Sequence, residues 1–426
     1  MVKDLLILTV LTGLTLISFI YYILNVYYST NYKQVKNSNN INLNNTMILI
    51  PVYKEDVETF ENVIRAVKYQ GVRFIVVGDG IDSNEPYRSI TEKYGGKFIL
   101  KDHGGKRKAL AEGMKYVDTD YVMFVDSDTV IPTNAMKDML TNFKDNVAGV
   151  GVNIKMKNDN TVISYASEFI ERTKEVIFRA MSYHGSIIVV DGRCALYRTD
   201  VVKNYILSPA FKDKQVLGKT TISGDDRDLT GYLIKNGYRV VEDYNISVET
   251  DAQKDLKKFM HQQIRWARNG WYYFFKNMLN GTSKKAGWFY NFDMLYMYVM
   301  PFLGFSFLLF RLFLILNHFS HFDGASFTEL EHYLIFNILP MGDNLPRLGS
   351  SIHSLGKFLL FVFMDRLATY LMGIVGNSIF ILTIMIKVRK QRLKTLGYGA
   401  LGLLIMFIAN IYGFFTFWKQ SKWMSR

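Results

Sequence analysis

Cysteine is almost absent from this chain of 426 residues. Its single copy, Cys194, excludes an internal disulfide framework and a metal site built from several cysteines. Acidic residues are absent from Ile386–Arg426, which holds eight Lys and Arg, and Asp255 is the only acid in Ala252–Lys285, which holds another eight. The net positive charge of these two segments together is larger than that of the whole chain, which is +13. Because both adjoin apolar segments, the charge is typical of a protein facing anionic lipid, and nucleic acid is not an expected partner.

Long uncharged runs predict a chain that lies partly in a lipid bilayer. Hydrophobic residues make up 49% and charged residues 21%, a mixture that suits a part-membrane, part-soluble protein of two or three domains. Leu5–Tyr28 is long enough to span, and no small-residue cleavage site follows it. A retained helix within residues 1–32 is therefore favoured over a signal peptide. About three more spans are expected in residues 287–426, from Trp288–Asn317, Leu355–Ile386 and Leu396–Trp418.

The cations between the last two apolar runs predict the orientation. Lys387–Lys394 carries five cations in eight residues and is expected in the cytoplasm. The polar stretch His318–Ser354, with its short apolar piece Tyr333–Met341, is then outside, and the soluble domain is inside a multi-pass plasma-membrane protein. Both chain ends come out external, although the basic tail at Lys419, Lys422 and Arg426 fits poorly with that side.

A soluble α/β domain is expected over residues 40–251, after an Asn-rich linker at Asn37–Asn45. Apolar runs at Met47–Val52, Phe74–Val77 and Tyr121–Val125 alternate with helical spacing, as in a mainly parallel sheet covered on both faces. Ligands of such sheets bind at the carboxyl ends of the strands. Polar residues follow the runs at that edge: Tyr53, Lys54, Glu55, Asp56, Asp79, Asp126, Ser127 and Asp128. Residues 252–286 then predict one or two amphipathic helices at the membrane surface.

Two short motifs in the domain are typical of phosphate and metal binding. Asp126-Ser127-Asp128 places two carboxylates after an apolar strand, where they can hold Mg²⁺ or Mn²⁺ against a diphosphate. The alternative is a pair of solvated carboxylates. The run from His103 to Lys108 joins glycines and cations before the helix-like Ala109–Val117, as in a phosphate cradle. The alternative there is a solvated basic loop.

Two further motifs are typical of sugar transfer. Gly224-Asp225-Asp226-Arg227 offers a carboxylate base whose pKa is raised by its neighbour. The alternative makes Asp226 the N-cap of a helix over Arg227–Lys235. Gln262-Gln263-Ile264-Arg265-Trp266 supplies an indole for stacking on a sugar and an arginine for phosphate. The alternative makes Trp266 an anchor at the membrane surface.

Taken in this order between apolar helices, the four motifs resemble the processive family 2 glycosyltransferases. The likeness is greatest to hyaluronan synthases and type 3 capsular polysaccharide synthases, and lower to cellulose and chitin synthases. It covers Met47–Lys276 motif by motif, and the rest only by helix pattern. The resemblance implies a GT-A fold, a UDP-sugar donor, a metal at D-x-D and a growing polysaccharide as acceptor.

The resemblance also implies roles for particular residues. Those expected to bind the nucleotide sugar are Pro51, Val52, Tyr53, Glu55, Asp79, Lys106, Arg107 and Asp126. Asp128 is the expected metal ligand, and Asp226 is the expected general base with Asp225 beside it. Residues expected at the acceptor are Asp191, Gly192, Arg193, Gln262, Arg265 and Trp266.

Two departures leave the sugar and the gating open. Asp191-Gly192-Arg193 stands where many hyaluronan synthases read Ser-Gly-Pro, and it is closer to the capsule-synthase form. The Trp-Gly-Thr-Arg loop of hyaluronan synthases is missing, and Lys387–Lys394 has no Trp in the comparable place.

The resulting hypothesis is a membrane-embedded, inverting synthase that polymerises sugar and exports the chain. One alternative is a non-processive enzyme that adds one sugar to a lipid. Another is an inactive protein that binds sugar or senses c-di-GMP, which the intact Asp126, Asp128, Asp225 and Asp226 and the lack of a visible sensor domain argue against. The sugar, the linkage and the oligomeric state stay open.

Overall fold

The computed structural model describes residues 2–33, 42–144, 146–157, 159–221, 223–319 and 352–420. Its strands are β1 Thr46–Val52, β2 Arg73–Asp79, β3 Lys97–Lys101, β4 Tyr121–Val125, β5 Val147–Met156, β6 Cys194–Arg198, β7 Gln215–Val216, β8 Lys219–Thr220 and β9 Arg239–Thr250. Its helices are α1 Val2–Asn31, α2 Val57–Lys68, α3 Tyr87–Lys93, α4 Lys106–Met114, α5 Ala135–Leu140, α6 Val162–His184, α7 Thr199–Leu207, α8 Pro209–Lys212, α9 Asp225–Lys235, α10 Leu256–Leu279, α11 Thr282–Ala286, α12 Trp288–Phe319, α13 Ile352–Lys387 and α14 Arg392–Phe414.

A seven-stranded sheet in the order β3-β2-β1-β4-β6-β5-β9 forms the centre of the α/β part. The pairs β1–β2, β1–β4, β2–β3 and β5–β9 are parallel, and β6 runs antiparallel to both of its neighbours. The predicted mainly parallel sheet is therefore confirmed. The carboxyl ends of β1, β2 and β4 meet at one edge, which brings the polar residues after these strands together.

Helix α2 illustrates how the sequence pattern forms this part of the fold. The carboxylate of Asp56 accepts a hydrogen bond from the backbone N–H of Thr59 (2.9 Å) and caps the helix. Its buried residues recur at helical spacing and pack against the strands in one hydrophobic core: Phe60, Val63, Ile64 and Val67. Because β1 is buried along nearly its whole length, its sequence is a continuous apolar run rather than an alternating one.

The chain divides into two compact units. The α/β unit contains Tyr27–Tyr298 and Ile384–Arg426, and the helical unit contains Met1–Val26 and Val299–Thr383. Within the helical unit, the hydroxyl of Thr12 on α1 donates to the carboxylate of Asp365 on α13 (3.1 Å). Three described helices have segments long and apolar enough to cross a membrane, Thr9–Asn31, Leu367–Lys387 and Arg392–Phe414.

Helix α14 belongs to the α/β unit, where it packs against α6 and α10. A Cβ atom on Gly399 would lie 2.4 Å from Phe169 of α6, and one on Gly413 would lie 2.7 Å from Ala267 of α10. The chain before α14 also contacts the unit, because Gln391 hydrogen-bonds Asn160 (2.8 Å). Both ends of the expected last span therefore lie against the α/β unit.

Two helices of the predicted membrane-surface segment are present as α10 and α11. The expected Asn-rich linker lies mostly outside the described residues. The expected external stretch at 318–354, including the apolar piece at 333–341, lies almost entirely outside them, as do Lys422 and Arg426.

Candidate active site

Side chains from three strand ends meet at the carboxyl edge of the sheet. Ser127, after β4, donates its hydroxyl to the carboxylate of Glu55, after β1 (3.0 Å). The ring of Tyr53 stacks on that of His103 with centroids 4.6 Å apart. Pro51 and Val52 lie in β1 itself, and Val52 is buried. The predicted nucleotide-binding residues of β1 and β4 are thus brought together.

Asp79, the last residue of β2, holds the loop that precedes α4. Its buried carboxylate accepts hydrogen bonds from the backbone N–H groups of Gly104 (2.9 Å) and Gly105 (2.8 Å). It also pairs with the ammonium of Lys101 (2.8 Å). These bonds fix the turn at Gly105, which has a φ of +85° and leads directly into Lys106 at the start of α4.

Lys106 is the point at which three of the predicted segments converge. Its Nζ lies 2.5 Å from Asp126 Oδ1, 3.5 Å from Asp225 Oδ2 and 3.5 Å from the carbonyl oxygen of Gly192. Burial alone would lower the pKa of Lys106, but the negative charges of Asp126 and Asp225 raise it above the ordinary value. The lysine is therefore a fixed cation at the centre of an acidic cluster.

Asp225 and Asp226 lie in the first turn of α9. The helix begins at Asp225 after Gly224, which has a φ of +79°. This start lies two residues before Arg227, so the alternative in which Asp226 is the N-cap is wrong. A Cβ atom on Gly224 would lie 2.8 Å from Tyr273 of α10. Close packing against α10 therefore requires glycine here and sets where α9 starts.

The two carboxyl groups of this pair differ in their electrostatic surroundings. Burial and the charge of Asp225 raise the pKa of Asp226. Burial would also raise the pKa of Asp225, but Lys106 and Arg107 bring it below its ordinary value. One carboxylate thus stays ionised while its neighbour becomes a stronger base, a separation suited to proton transfer.

The segment Asp191–Arg193 lies directly against the acidic cluster. The backbone N–H of Asp126 donates to the carbonyl oxygen of Arg193 (3.1 Å), and Arg193 Nε pairs with Asp191 Oδ1 (3.3 Å). A Cβ atom on Gly192 would lie 3.2 Å from Lys106 Nζ and 3.5 Å from Asp226 Cβ. The absence of a side chain at Gly192 keeps this approach open.

Helix α10 brings the predicted Gln262, Arg265 and Trp266 to the same region. Arg265 is largely buried and interacts electrostatically with Asp226 and Asp225; burial lowers the pKa of its guanidinium. The ammonium of Lys174 on α6 lies 5.3 Å from the centre of the Trp266 ring. Gln262 and Trp266 line a small cleft together with Glu171, Ser167, Asp251 and Gln253.

Arg107 occupies a different position from the one expected of a diphosphate ligand. Its guanidinium is 3% exposed and pairs with the buried carboxylate of Asp228 (3.0 Å). It also donates to the hydroxyl of Tyr273 (3.2 Å) and the carbonyl oxygen of Ser223 (3.3 Å). In this position Arg107 joins α4, α9 and α10 rather than facing the cluster around Lys106.

Three residues of this region were not predicted. Asp228, the third acid at the start of α9, binds Arg107, Lys276 (2.5 Å) and Lys214 (3.4 Å), and its place directly after the acidic motif was a usable signal. Glu171 and Lys174 of α6 form an ion pair at 2.9 Å beside Trp266. Their spacing in the sequence is that of an ordinary solvated helix face, so no signal marked them.

Asp128 has the donor chemistry that Mg²⁺ or Mn²⁺ requires. Asp128 is exposed and lies two residues from Asp126, and its carboxylate accepts a hydrogen bond from the hydroxyl of Thr129 (3.2 Å). No cluster of three or more metal-ligating side chains occurs among the residues that the structure describes. The residues present therefore fit a hard cation that shares phosphate oxygens with a substrate, and not one enclosed by protein ligands.

The family described as glycosyltransferase like family 2 matches residues 33–269, more than half of the chain. The protein therefore belongs to this family and is a glycosyltransferase, as the sequence motifs predicted.

Curated relatives extend the comparison. An N-acetylglucosaminyltransferase of Azorhizobium caulinodans is 27% identical over 238 residues, covering 52% of this chain and 58% of the relative. A hyaluronan synthase of Streptococcus pyogenes serotype M1 is 30% identical over 257 residues, covering 55% of this chain and 58% of the relative. The matched part is thus less than three-fifths of either relative.

A solved mannosyltransferase of Pyrobaculum calidifontis, in complex with GDP-Man and Mn²⁺, superposes on this structure with a TM-score of 0.53 at 14% sequence identity. The match covers 87% of this chain and 99% of that one. At this identity the likeness shows the fold.

Proposed function

We propose that the protein is a membrane-embedded, processive, inverting glycosyltransferase that polymerises sugar from UDP-sugar donors into an exported polysaccharide. The observation that carries the proposal is the convergence at Lys106. Side chains or backbone from the D-x-D motif, the acidic pair and the acceptor segment lie within 3.5 Å of its ammonium group. The segments that handle donor, proton and acceptor thereby share one cluster.

The donor binds along the carboxyl edge of the sheet. Tyr53 and Glu55 border the nucleotide, and Asp79 contributes by holding the loop that presents Lys106. Lys106 is the cation that meets the diphosphate, with Asp126 beside it. Asp128 holds Mg²⁺ or Mn²⁺, which when bound supplies positive charge for the departing diphosphate.

Asp226 is the general base. Its raised pKa makes it a better proton acceptor, and it takes the proton from the acceptor hydroxyl as that oxygen attacks the anomeric carbon. Arg265, close to both carboxylates, limits the negative charge that builds up there. Gly192 leaves the space in which the acceptor sugar approaches Asp226.

Trp266 and Gln262 hold the acceptor. An indole face is a good platform for a sugar ring, and Trp266 borders a cleft beside α10. Retention of the acceptor on α10 between additions supports repeated transfer, and the candidate membrane helices of the chain support export. The α/β unit then faces the cytoplasm, where UDP-sugars are available.

The test is incorporation of radiolabel from UDP-glucose, UDP-glucuronate and UDP-N-acetylglucosamine, singly and in pairs, by the full chain in membranes. We expect a large polymer from one donor or one pair. A product carrying a single sugar on lipid would assign the non-processive alternative, and no transfer from any donor would contradict both.

Asp226→Asn tests the base in the same assay. We expect turnover to fall by about 10²–10⁴-fold while UDP binding is kept, because the amide cannot accept the proton. Asp213→Asn is the matched control, since Asp213 is an exposed partner of Lys108 (3.0 Å). Full activity in Asp226→Asn would remove Asp226 from its role.

A further inference from the structure

The loop that carries the acidic pair is held by buried polar contacts. Thr221 and Ser223, just before Gly224, are 4% and 5% exposed. The hydroxyl of Ser223 accepts a hydrogen bond from Asn269 Nδ2 of α10 (3.1 Å), and its carbonyl oxygen accepts one from Arg107 (3.3 Å). The position of Asp225 and Asp226 therefore depends on what holds this loop.

A third support comes from the segment Phe415–Gln420, which follows α14 and is called here the C-terminal strap. The hydroxyl of Thr221 donates to Gln420 Oε1 (3.1 Å), which joins residues 199 positions apart. Gln420 is itself 6% exposed. Because Gln420 is buried, loss of the Thr221 hydroxyl removes a hydrogen bond from Gln420 Oε1 that water cannot readily replace. The Thr221 hydroxyl also lies 3.4 Å from the carbonyl oxygen of Ser223, which ties it directly to the residue before Gly224.

The amide of Gln420 is oriented by the strap and by α10. Its Nε2 donates to the carbonyl oxygens of Phe417 (2.6 Å) and Arg268 (3.3 Å). Two carbonyl acceptors on the Nε2 side leave Oε1 to face the hydroxyl of Thr221. The amide thus has one orientation that satisfies all three contacts.

Arg268 fastens the strap to α10. Its Nε donates to the hydroxyl of Thr416 (2.9 Å), and its Nη1 donates to the carbonyl oxygen of Lys419 (3.0 Å). Trp271, one turn further along α10, donates its indole N–H to the carbonyl oxygen of Asn410 in α14 (3.0 Å). The end of α14, the strap and the loop before Asp225 therefore form one connected set of hydrogen bonds.

We propose that Gln420 is a positioning residue for the acidic pair. By accepting the Thr221 hydroxyl, it fixes the loop from which α9 starts and so sets where the Asp226 carboxylate meets the acceptor hydroxyl. It also makes the catalytic geometry depend on how α14 packs against α10. The inference rests on the proposed role of Asp226 and adds to it a residue far away in the sequence.

The proposal distinguishes catalysis from donor binding. Gln420 hydrogen-bonds Thr221, Phe417 and Arg268, which lie outside the segments proposed to hold the nucleotide. Its loss should therefore misplace the base and leave the donor site intact. Misplacement of a reacting group by about 1 Å costs up to about 100-fold in rate. We therefore expect kcat to fall by about 10- to 100-fold, with the Kd for UDP within about threefold of the original.

The experiment uses the full chain in detergent or nanodiscs, with Gln420→Ala, Thr221→Val, Thr221→Ser and the double variant Thr221→Val/Gln420→Ala. Thr221→Ser keeps the hydroxyl and should keep most of kcat. The double variant should lose no more than the worse single variant, because both single changes break the same bond. Gln391→Ala is the matched control at the other end of α14, where Gln391 contacts Asn160.

Three results would overturn the proposal. They are an unchanged kcat in Thr221→Val, equal losses in Thr221→Ser and Thr221→Val, and losses that multiply in the double variant. A parallel fall in UDP affinity would assign Gln420 a purely structural role and would also count against it.

Hydrogen exchange of peptides from residues 221–235 separates this inference from the proposed function. We expect faster exchange in Gln420→Ala and Thr221→Val than in the original chain, whether or not a UDP-sugar is turned over. If no donor is turned over but exchange rises, the proposed function fails and the strap still holds the loop. If turnover is normal and exchange is unchanged in both variants, the strap proposal fails alone.

Discussion

Some roles of the side chains at the Lys106 cluster can be predicted from the sequence, and others follow only from the fold. Asp225 and Asp226 are recognisable from their motif, and the structure puts them within reach of Lys106, more than a hundred residues earlier in the chain. Because Lys106 is so far away in the sequence, the motif alone could not show that the pKa of Asp225 is lowered while that of Asp226 is raised. They depend on a cation supplied by another element.

The pair leads to a pH prediction. A base works only when deprotonated, so kcat/KM should fall as pH drops through the raised pKa of Asp226. Asp225→Asn removes a neighbouring negative charge, which lowers the pKa of Asp226 and should move the acid limb to lower pH. Asp126, whose pKa burial raises to about 6, also loses this neighbouring charge and should shift in the same direction.

Kinetic pH profiles of the original chain, Asp225→Asn and the exposed control Asp213→Asn measure this shift. The control should leave the limb where it was. A limb that moves to higher pH in Asp225→Asn would contradict the assignment.

Lys106 and Arg107 are adjacent in sequence, but replacing Lys106 should impair turnover, whereas replacing Arg107 should impair stability. Lys106→Met removes the cation proposed for the diphosphate, so turnover should fall by about 100-fold or more with a stable fold. Arg107→Met removes the buried hydrogen bonds of the guanidinium to Asp228, Tyr273 and the carbonyl oxygen of Ser223. Because Lys276 and Lys214 still pair with Asp228, the expected cost is about 1–3 kcal/mol of folding free energy. Turnover assays with denaturant unfolding of both variants separate the two losses. Equal stability of the two variants would show that Arg107 is not a structural ion pair.

At the scale of elements, the start of α9 shows where sequence reasoning reached its limit. An aspartate before a helical pattern is a good N-cap, which favoured Asp226. The structure starts the helix two residues earlier, at Asp225, because Gly224 adopts a left-handed conformation against Tyr273 and Asn269. Strands and the helix α2 were predictable from local periodicity, whereas this boundary is set by a tertiary contact with α10.

Alanine substitutions at two glycines should show the effect of that contact. Gly224 and Gly218 have similar φ values, +79° and +75°, but a Cβ atom at Gly218 meets nothing within 4 Å. Gly218→Ala should cost about 1–2 kcal/mol of folding free energy from backbone strain alone. Gly224→Ala should cost more, since Tyr273 must also move, and it should reduce turnover. Denaturant unfolding measures the folding free energy of both variants. Equal costs would mean that Tyr273 of α10 moves aside with little loss of stability.

For the whole molecule, α14 is the element whose surroundings the sequence did not reveal. Its run of uncharged residues satisfies the length and composition of a membrane span. Those same properties suit a helix packed against protein, and periodicity alone does not separate the two. The glycines that seat α14 on α6 and α10, and the contacts at both of its ends, favour a helix that lies along the α/β unit.

This arrangement predicts that both ends of α14 lie on one side of the membrane. Lys390→Cys and Lys419→Cys place thiols at exposed positions before and after the helix. Cys194 is buried and should give little background. A membrane-impermeant maleimide should label neither variant in intact cells and both after permeabilisation. Labelling of Lys419→Cys alone in intact cells would mean that α14 crosses the bilayer.

The short contact between Lys106 and Asp126 has a consequence for turnover. Without donor, the lysine is already neutralised by protein carboxylates, so an arriving diphosphate replaces an existing partner and gains little affinity. Under the proposed function, Asp126 and Asp225 compete with the UDP left after transfer for the same ammonium, which should hasten its departure. For an enzyme of the proposed processive type, this competition would help to clear the site before each further addition.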